Sequence, residues 1–155
     1  MTIGLDTTFL VQHDVREAPL HEWARTYLVA SVLEAGNTPG LCPQVLAEYL
    51  HVITDPARFE HPLTMSAALS RAAAWWSLPG MRGVFPTPRT TSWFLSWMGQ
   101  HGLGRKRVLD TMLAATYASN GYHCLLSTDR RGFALFDGIT VLGPPEAEGT
   151  SRSPA

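Results

Sequence analysis

RKRVLDTMLAATYASNGYHCLLSTDRRGF, residues 105–133, carries the reading of the fold. Its first part is an alanine-rich helix that Asn120-Gly121 ends. YHCLLS then reads as a buried strand and RRGFALF as a short helix. Asp110 lies near the start of the long helix, and Asp129 follows the strand. A helix that feeds a strand, with an acid at the strand's exit, is a unit of an α/β sheet.

The same alternation runs outward from this stretch. TIGLD, residues 2–6, reads as a first strand, followed by a helical turn over Thr7 to Gln12. Pro19 is expected to open a helix to about Ala35, with Leu20, Trp23, Ala24, Tyr27, Leu28, Ser31 and Val32 at helical spacing. Gly36-Asn37 stops it. Gly40 to Cys42 is a short second strand. PQVLAEYLHVIT follows as a helix with one apolar stripe, Leu46, Tyr49, Leu50 and Ile53, ended by Asp55-Pro56. An alanine-rich helix over 64–78, a weak strand at Gly83 to Phe85 and a helix over TTSWFLSWMGQHGL come next. ITVL, after the turn at Asp137-Gly138, is the last strand. The expectation is an α/β domain over 1–143: a central, mainly parallel sheet of about five strands flanked by helices on both faces. The Pro/Glu/Gly/Ser-rich tail, 144–155, is expected to be disordered.

Composition narrows the function classes. A chain of 155 residues fits one domain, and 45% hydrophobic residues suffice for a core. The charge balance, 12 basic against 13 acidic residues, gives a net charge of −1. That excludes a global basic field for coating nucleic acid, though not a local phosphate site. Lys106 is the only lysine; the scattered arginines fit a GC-rich coding bias better than phosphate recognition. Two cysteines, Cys42 and Cys124, are too few for a disulfide scaffold or a cysteine-rich zinc site, and both read as small buried hydrophobes. No signal-peptide pattern and no apolar run of about 18 residues is present, so the expected location is the cytoplasm.

Ligands of parallel α/β sheets bind outside the carboxyl ends of the strands. Asp6 and Asp129 end strands at that edge; Glu48 and Asp110 lie on helices that leave or approach it. Taken singly, Asp6, Asp110 and Asp129 each read more readily as helix-capping or first-turn acids, and Glu48 as a solvated helix residue. Glu48 lies between Val45 and Val52, three and four positions away, so it is expected to be partly buried. Four clustered carboxylates repel one another and hold their protons unless a cation neutralises them. All-oxygen ligation suits Mg²⁺ or Mn²⁺, ions that serve phosphoryl chemistry.

With these residues in order, the sequence resembles the PIN-domain proteins, and among them the VapC-type toxins of bacterial toxin–antitoxin pairs. GLDTTFLV, PQVLAEYLHVIT, DTMLAATYASNG and LLSTDRRGF carry the resemblance, which covers roughly residues 2–143. It implies a PIN-like three-layer fold and a Mg²⁺- or Mn²⁺-dependent ribonuclease. Asp6, Glu48, Asp110 and Asp129 match the family's metal-binding acids. Thr7 and Ser127 match its supporting hydroxyl residues. The sequence departs from the family's pattern at Thr8, where Asn or Ser is common, and at Gly132, where an acid often precedes the Phe. These departures bear on substrate positioning more than on chemistry. The implied reaction is in-line attack of water on an RNA phosphodiester, with Asp6 or Asp129 holding or deprotonating the water. It leaves 5′-phosphate and 3′-hydroxyl ends. The resemblance also implies a homodimer and a VapB-type antitoxin that covers the active site.

Arg105, Lys106 and Arg107 precede Asp110, and Arg130-Arg131 follow Asp129. Such runs are commonly solvated. Cations at a helix start oppose the helix dipole, which favours a role in holding RNA phosphates. Trp93 and Trp97 lie one helical turn apart and fit either core or interface; the adjacent Trp75 and Trp76 cannot both face one core. The six histidines have no HxxxH or HxH spacing. A dehalogenase-like phosphatase would want an acid at position 8, which is threonine, and a receiver-like site would want a late lysine. A nucleotide-binding reading lacks its glycine-rich motif. The remaining rival is a catalytically silent RNA-binding or interaction module on the PIN scaffold.

Overall fold

The computed structural model describes residues 1–145. Five strands alternate with helices: β1 Thr2–Leu5, α1 Thr7–Asp14, α2 His21–Tyr27, β2 Thr38–Leu41, α3 Pro43–Ile53, α4 Met65–Trp76 and β3 Arg82–Gly83. Then come α5 Pro88–Gln100, α6 Val108–Ser119, β4 Cys124–Leu126, α7 Arg130–Phe133 and β5 Thr140–Leu142. All strand pairs are parallel, in the order β3-β2-β1-β4-β5. The chain builds outward from β1 to β2 and β3, then returns to β4 on the other side. The direction of winding therefore reverses at β1/β4, where α/β sheets open a crevice for ligands.

The core explains why α6 is the central helix. Leu113, Ala114, Ala115, Tyr117 and Ala118 are all buried. The small residues bring the helix close to the sheet, and Tyr117 locks it there. Its hydroxyl donates to Leu5 O at 2.6 Å and to Gly40 O at 3.1 Å, joining β1 to β2. The ring lies on Gly4, where a Cβ would be 2.7 Å from it. Gly4 is thus required for close approach rather than for an unusual backbone angle.

Several expected boundaries shift. The helix expected from Pro19 starts at His21, because residues 18–21 form a turn: His21 N donates to Ala18 O, and Leu20 N to Gln12 Oε1 at 2.8 Å. That helix then winds as a π-helix over Leu28–Leu33, with Leu28 and Val32 buried. The weak strand expected at 83–85 is β3, one residue earlier, because Phe85 turns aside onto Trp76 with ring centroids 6.1 Å apart. The helix expected from Thr90 begins at Pro88, where Thr90 Oγ1 accepts from Thr87 N at 2.8 Å. Arg105–Arg107 form a 3₁₀ turn ahead of α6. Trp75 is buried and Trp76 is exposed, so the two do face different ways. Trp97 is core and stacks on Phe136 at 4.9 Å. Cys42 is buried, whereas Cys124 is only partly so. Among the described residues no helix is long and apolar enough to cross a membrane. The expected tail lies outside the described residues from 146 on.

Candidate active site

Asp6 is the residue between β1 and α1, and it is 4% exposed. It occupies the N-cap position of α1 but makes no capping hydrogen bond with its side chain. Its carboxylate turns to the sheet edge instead. Ser127 Oγ donates to Asp6 Oδ2 at 2.7 Å, and Thr8 Oγ1 donates to the same oxygen at 2.6 Å. Ser127 follows β4, so one carboxylate oxygen ties the exits of the two strands that flank the crevice.

Burial pushes the Asp6 carboxyl up from 3.8 to about 6. The hydrogen bonds from Ser127 and Thr8 oppose that rise, and the charge of Glu48 adds to it. Glu48 lies on α3 and is partly buried, as its apolar neighbours imply. Thr7 Oγ1 donates to Glu48 Oε2 at 2.9 Å. Among the described residues, no basic group lies within 4.0 Å of Asp6 or Glu48.

The other two acids sit across the cleft. Asp110 lies in the first turn of α6. Burial raises its pKa, Arg107 opposes this, and the charges of Glu48 and Asp129 raise it further. Those couplings place Glu48, Asp110 and Asp129 in one electrostatic field. Asp129 caps α7: its Oδ1 accepts from Gly132 N at 3.0 Å, so its capping reading holds. Asp129 N donates to Ser127 Oγ at 3.0 Å, which links this acid to Asp6 through one hydroxyl.

Two sequence readings change here. Thr7, expected to support the site's carboxylates, donates to Glu48. Thr8, read as a departure from the family pattern, takes the place at Asp6. Its hydroxyl also lies 3.2 Å from Ser127 Oγ and accepts from Thr128 N at 3.1 Å. The signal available in the sequence was a hydroxyl two residues after an acid at a helix start. Arg107, grouped with its neighbours as a phosphate contact, turns inward. Its Nη1 is 2.9 Å from Asp110 Oδ2 and 3.5 Å from Asp129 Oδ2. Arg105, Lys106, Arg130 and Arg131 are exposed.

Electrostatic coupling and shared hydrogen bonds connect the four acids at the carboxyl edge of the sheet, but no three of them form a tight cluster. Among the described residues, only the exposed Glu17, Glu60 and His61 bring three ligand atoms within 4.8 Å of one another. The donor set still fits a hard divalent ion. Mg²⁺ commonly takes one or two protein carboxylates and keeps several waters, and an ion there would offset the charge penalty at Asp6. Asp6 and Glu48 would hold it, with Asp110 and Asp129 facing them. Beside Glu48 opens a cavity of about 550 Å³ lined in part by Thr7, Thr8, Gln12, Arg58, Phe59 and Thr128.

No family model and no curated protein sequence matches the chain. Solved structures do. VapBC2 of Rickettsia felis, bound to a promoter DNA fragment, matches with TM-score 0.65 and 14% identity over 94% of this chain and 100% of that one. The chain has the PIN-domain fold. VapC20 of Mycobacterium tuberculosis, a sarcin–ricin loop cleaving toxin, shares it at TM-score 0.65 and 17% identity over 85% of this chain and 93% of that one. FitAcB of Neisseria gonorrhoeae does so at TM-score 0.63 and 18% identity, over 90% and 95%. The shared fold accounts for the parallel sheet and its winding reversal at β1/β4.

Proposed function

We propose that the chain is a divalent-metal-dependent endoribonuclease, the toxin of a toxin–antitoxin pair with a VapB-type antitoxin. The observation that carries this reading is Asp6. It is a buried carboxylate at the winding reversal, charged against its environment, with Glu48 beside it and hydroxyls as its side-chain partners. A fold with no such role gains nothing from that charge. The neighbours support the biological setting, one of them a sarcin–ricin loop cleaving toxin and another VapBC2 bound to promoter DNA.

When bound, Mg²⁺ or Mn²⁺ supplies charge neutralisation for the phosphate oxygens. The remaining chemistry belongs to the chain. Thr8 and Ser127 fix the orientation of Asp6 through Oδ2, and Thr7 does the same for Glu48. Asp129 is engaged at both oxygens, by Gly132 N and by Arg107. Asp6 is therefore the better carboxylate to hold the attacking water and take its proton. The exposed Arg105, Lys106, Arg130 and Arg131 hold neighbouring phosphates. Attack in line with the leaving 3′ oxygen gives 5′-phosphate and 3′-hydroxyl ends. The exposed apolar side chains of Trp76, Phe85, Leu95 and Leu109 supply surface for an antitoxin or a second copy.

One observation favours a second reading. The four acids do not close on a single point, as a silent RNA-binding module would permit. Incubation of purified tRNA and mRNA with wild type and Asp110→Asn separates the two. Cuts made only by wild type, stopped by EDTA and restored by Mn²⁺, support the nuclease. Binding without metal-dependent cutting would replace it with the silent module.

A further inference from the structure

Arg107 is not placed as a surface phosphate contact. Its side chain is 24% exposed, with Nη1 2.9 Å from Asp110 Oδ2 and 3.5 Å from Asp129 Oδ2. Its Nη2 donates to Gly132 O. Gly132 makes room for this arrangement. A Cβ there would lie 2.7 Å from Arg107 Nη1 and would collide with the Asp129 carboxylate. The resembling family often carries an acid at this position. Here the side chain is missing, and a guanidinium lies over the space.

The cleft thus has two unlike halves. Asp110 and Asp129 share a fixed positive charge. Asp6 and Glu48 are met by the hydroxyls of Thr7, Thr8 and Ser127, with no basic group within 4.0 Å among the described residues. An arginine does not leave such a place by losing its proton, and its planar fork suits contact with two carboxylates at once. A second ion in this cleft would need the Asp110 and Asp129 carboxylates, and Arg107 already pairs with both.

We infer that Arg107 is the built-in second cation of this cleft, so that the chain takes one divalent ion, at its Asp6–Glu48 half. The inference rests on the metal-dependent reading of the site. The phosphodiester then meets an N–H fork rather than a second ion at the Asp110–Asp129 end. Arg107 is in this sense a fixed cofactor substitute, and Gly132 is the residue that admits it.

Counting bound Mn²⁺ tests this without reference to activity. The full chain and its Arg107→Gln variant, both carrying Glu17→Gln so that the exposed Glu17–Glu60–His61 cluster is not counted, are titrated with Mn²⁺, and the free ion is read by electron paramagnetic resonance. The expected result is one ion per wild-type chain and two per Arg107→Gln chain. Should the Gln variant not fold, Arg107→Met, which keeps the apolar stem, is counted in its place with the same expectation. Two ions on wild type, or one on the folded variant, would overturn the inference and leave the nuclease reading standing. No ion on either protein would overturn that reading, and the inference with it.

Discussion

Replacing Asp6 by Asn should stabilise the metal-free protein, although it removes a candidate catalytic group. Asp6 is 4% exposed and its carboxyl is pushed up from 3.8 to about 6 by burial. That difference corresponds to a folded-state charge penalty of about 3 kcal/mol when the group is fully ionised. The sign follows from linkage. The folded state holds the proton more tightly than the unfolded one, so wild-type stability falls as pH rises from 3.8 to about 6. Above that window the penalty is complete; below it there is none. Asn keeps an oxygen acceptor for Ser127 and Thr8 without the charge. At pH 8 in EDTA, Asp6→Asn should therefore exceed wild type by about 3 kcal/mol in urea unfolding, or by roughly 6–12 °C in Tm. Below pH 3.8 the two should coincide. Added Mg²⁺ should raise the Tm of wild type at pH 8 and not that of the variant. A variant less stable than wild type at pH 8, or a difference that does not change with pH, would refute the reasoning.

Two further outcomes follow from other residues. The Asp14 side chain is 4% exposed, yet hydrogen bonds from His13, Tyr49 and Trp75 outweigh its desolvation and hold its pKa below 3.8. Asp14→Ala should cost about 3 kcal/mol in urea unfolding, since it strands the Tyr49 O–H and Trp75 N–H donors, and cleavage per folded chain should be unchanged. Because the folded pKa is depressed, the wild-type contribution of Asp14 should be lost as pH falls below 3.8. Glu48→Gln should lower the Asp6 titration midpoint from about 6 while leaving it above 3.8, because burial is the larger cause; carboxyl ¹³C shifts read this directly.

The topology was legible because β1, α3, α6 and β4 each carry a full local signature. An apolar run of strand length, a Pro at a first helical position, an alanine stripe and an Asn-Gly stop do not depend on distant partners. Boundaries that depend on distant partners were not legible. Pro19 fails as a helix start because Gln12, seven residues earlier, takes the Leu20 amide. The strand near 83 is shortened by a contact between Phe85 and Trp76. At the site, sequence order placed Asp6 and Asp129 just after strands, and the structure has them after β1 and β4. The division of labour between Thr7 and Thr8 was invisible, because it depends on which way α1 rotates against α3 and β4. Arg107 was misplaced for the same reason. Its sequence neighbours Arg105 and Lys106 are exposed, and only the missing side chain at Gly132 lets it turn inward.

The most direct test is the chemistry of the cut ends. Wild type and Asp110→Asn, prepared identically, are incubated with RNA in Mg²⁺ or Mn²⁺, and the termini are typed with phosphatase, kinase and ligase. The expected result is 5′-phosphate and 3′-hydroxyl ends from wild type alone, lost on chelation. Ends bearing a 2′,3′-cyclic phosphate, or cutting that survives both EDTA and Asp110→Asn, would contradict hydrolysis at the four-acid cleft.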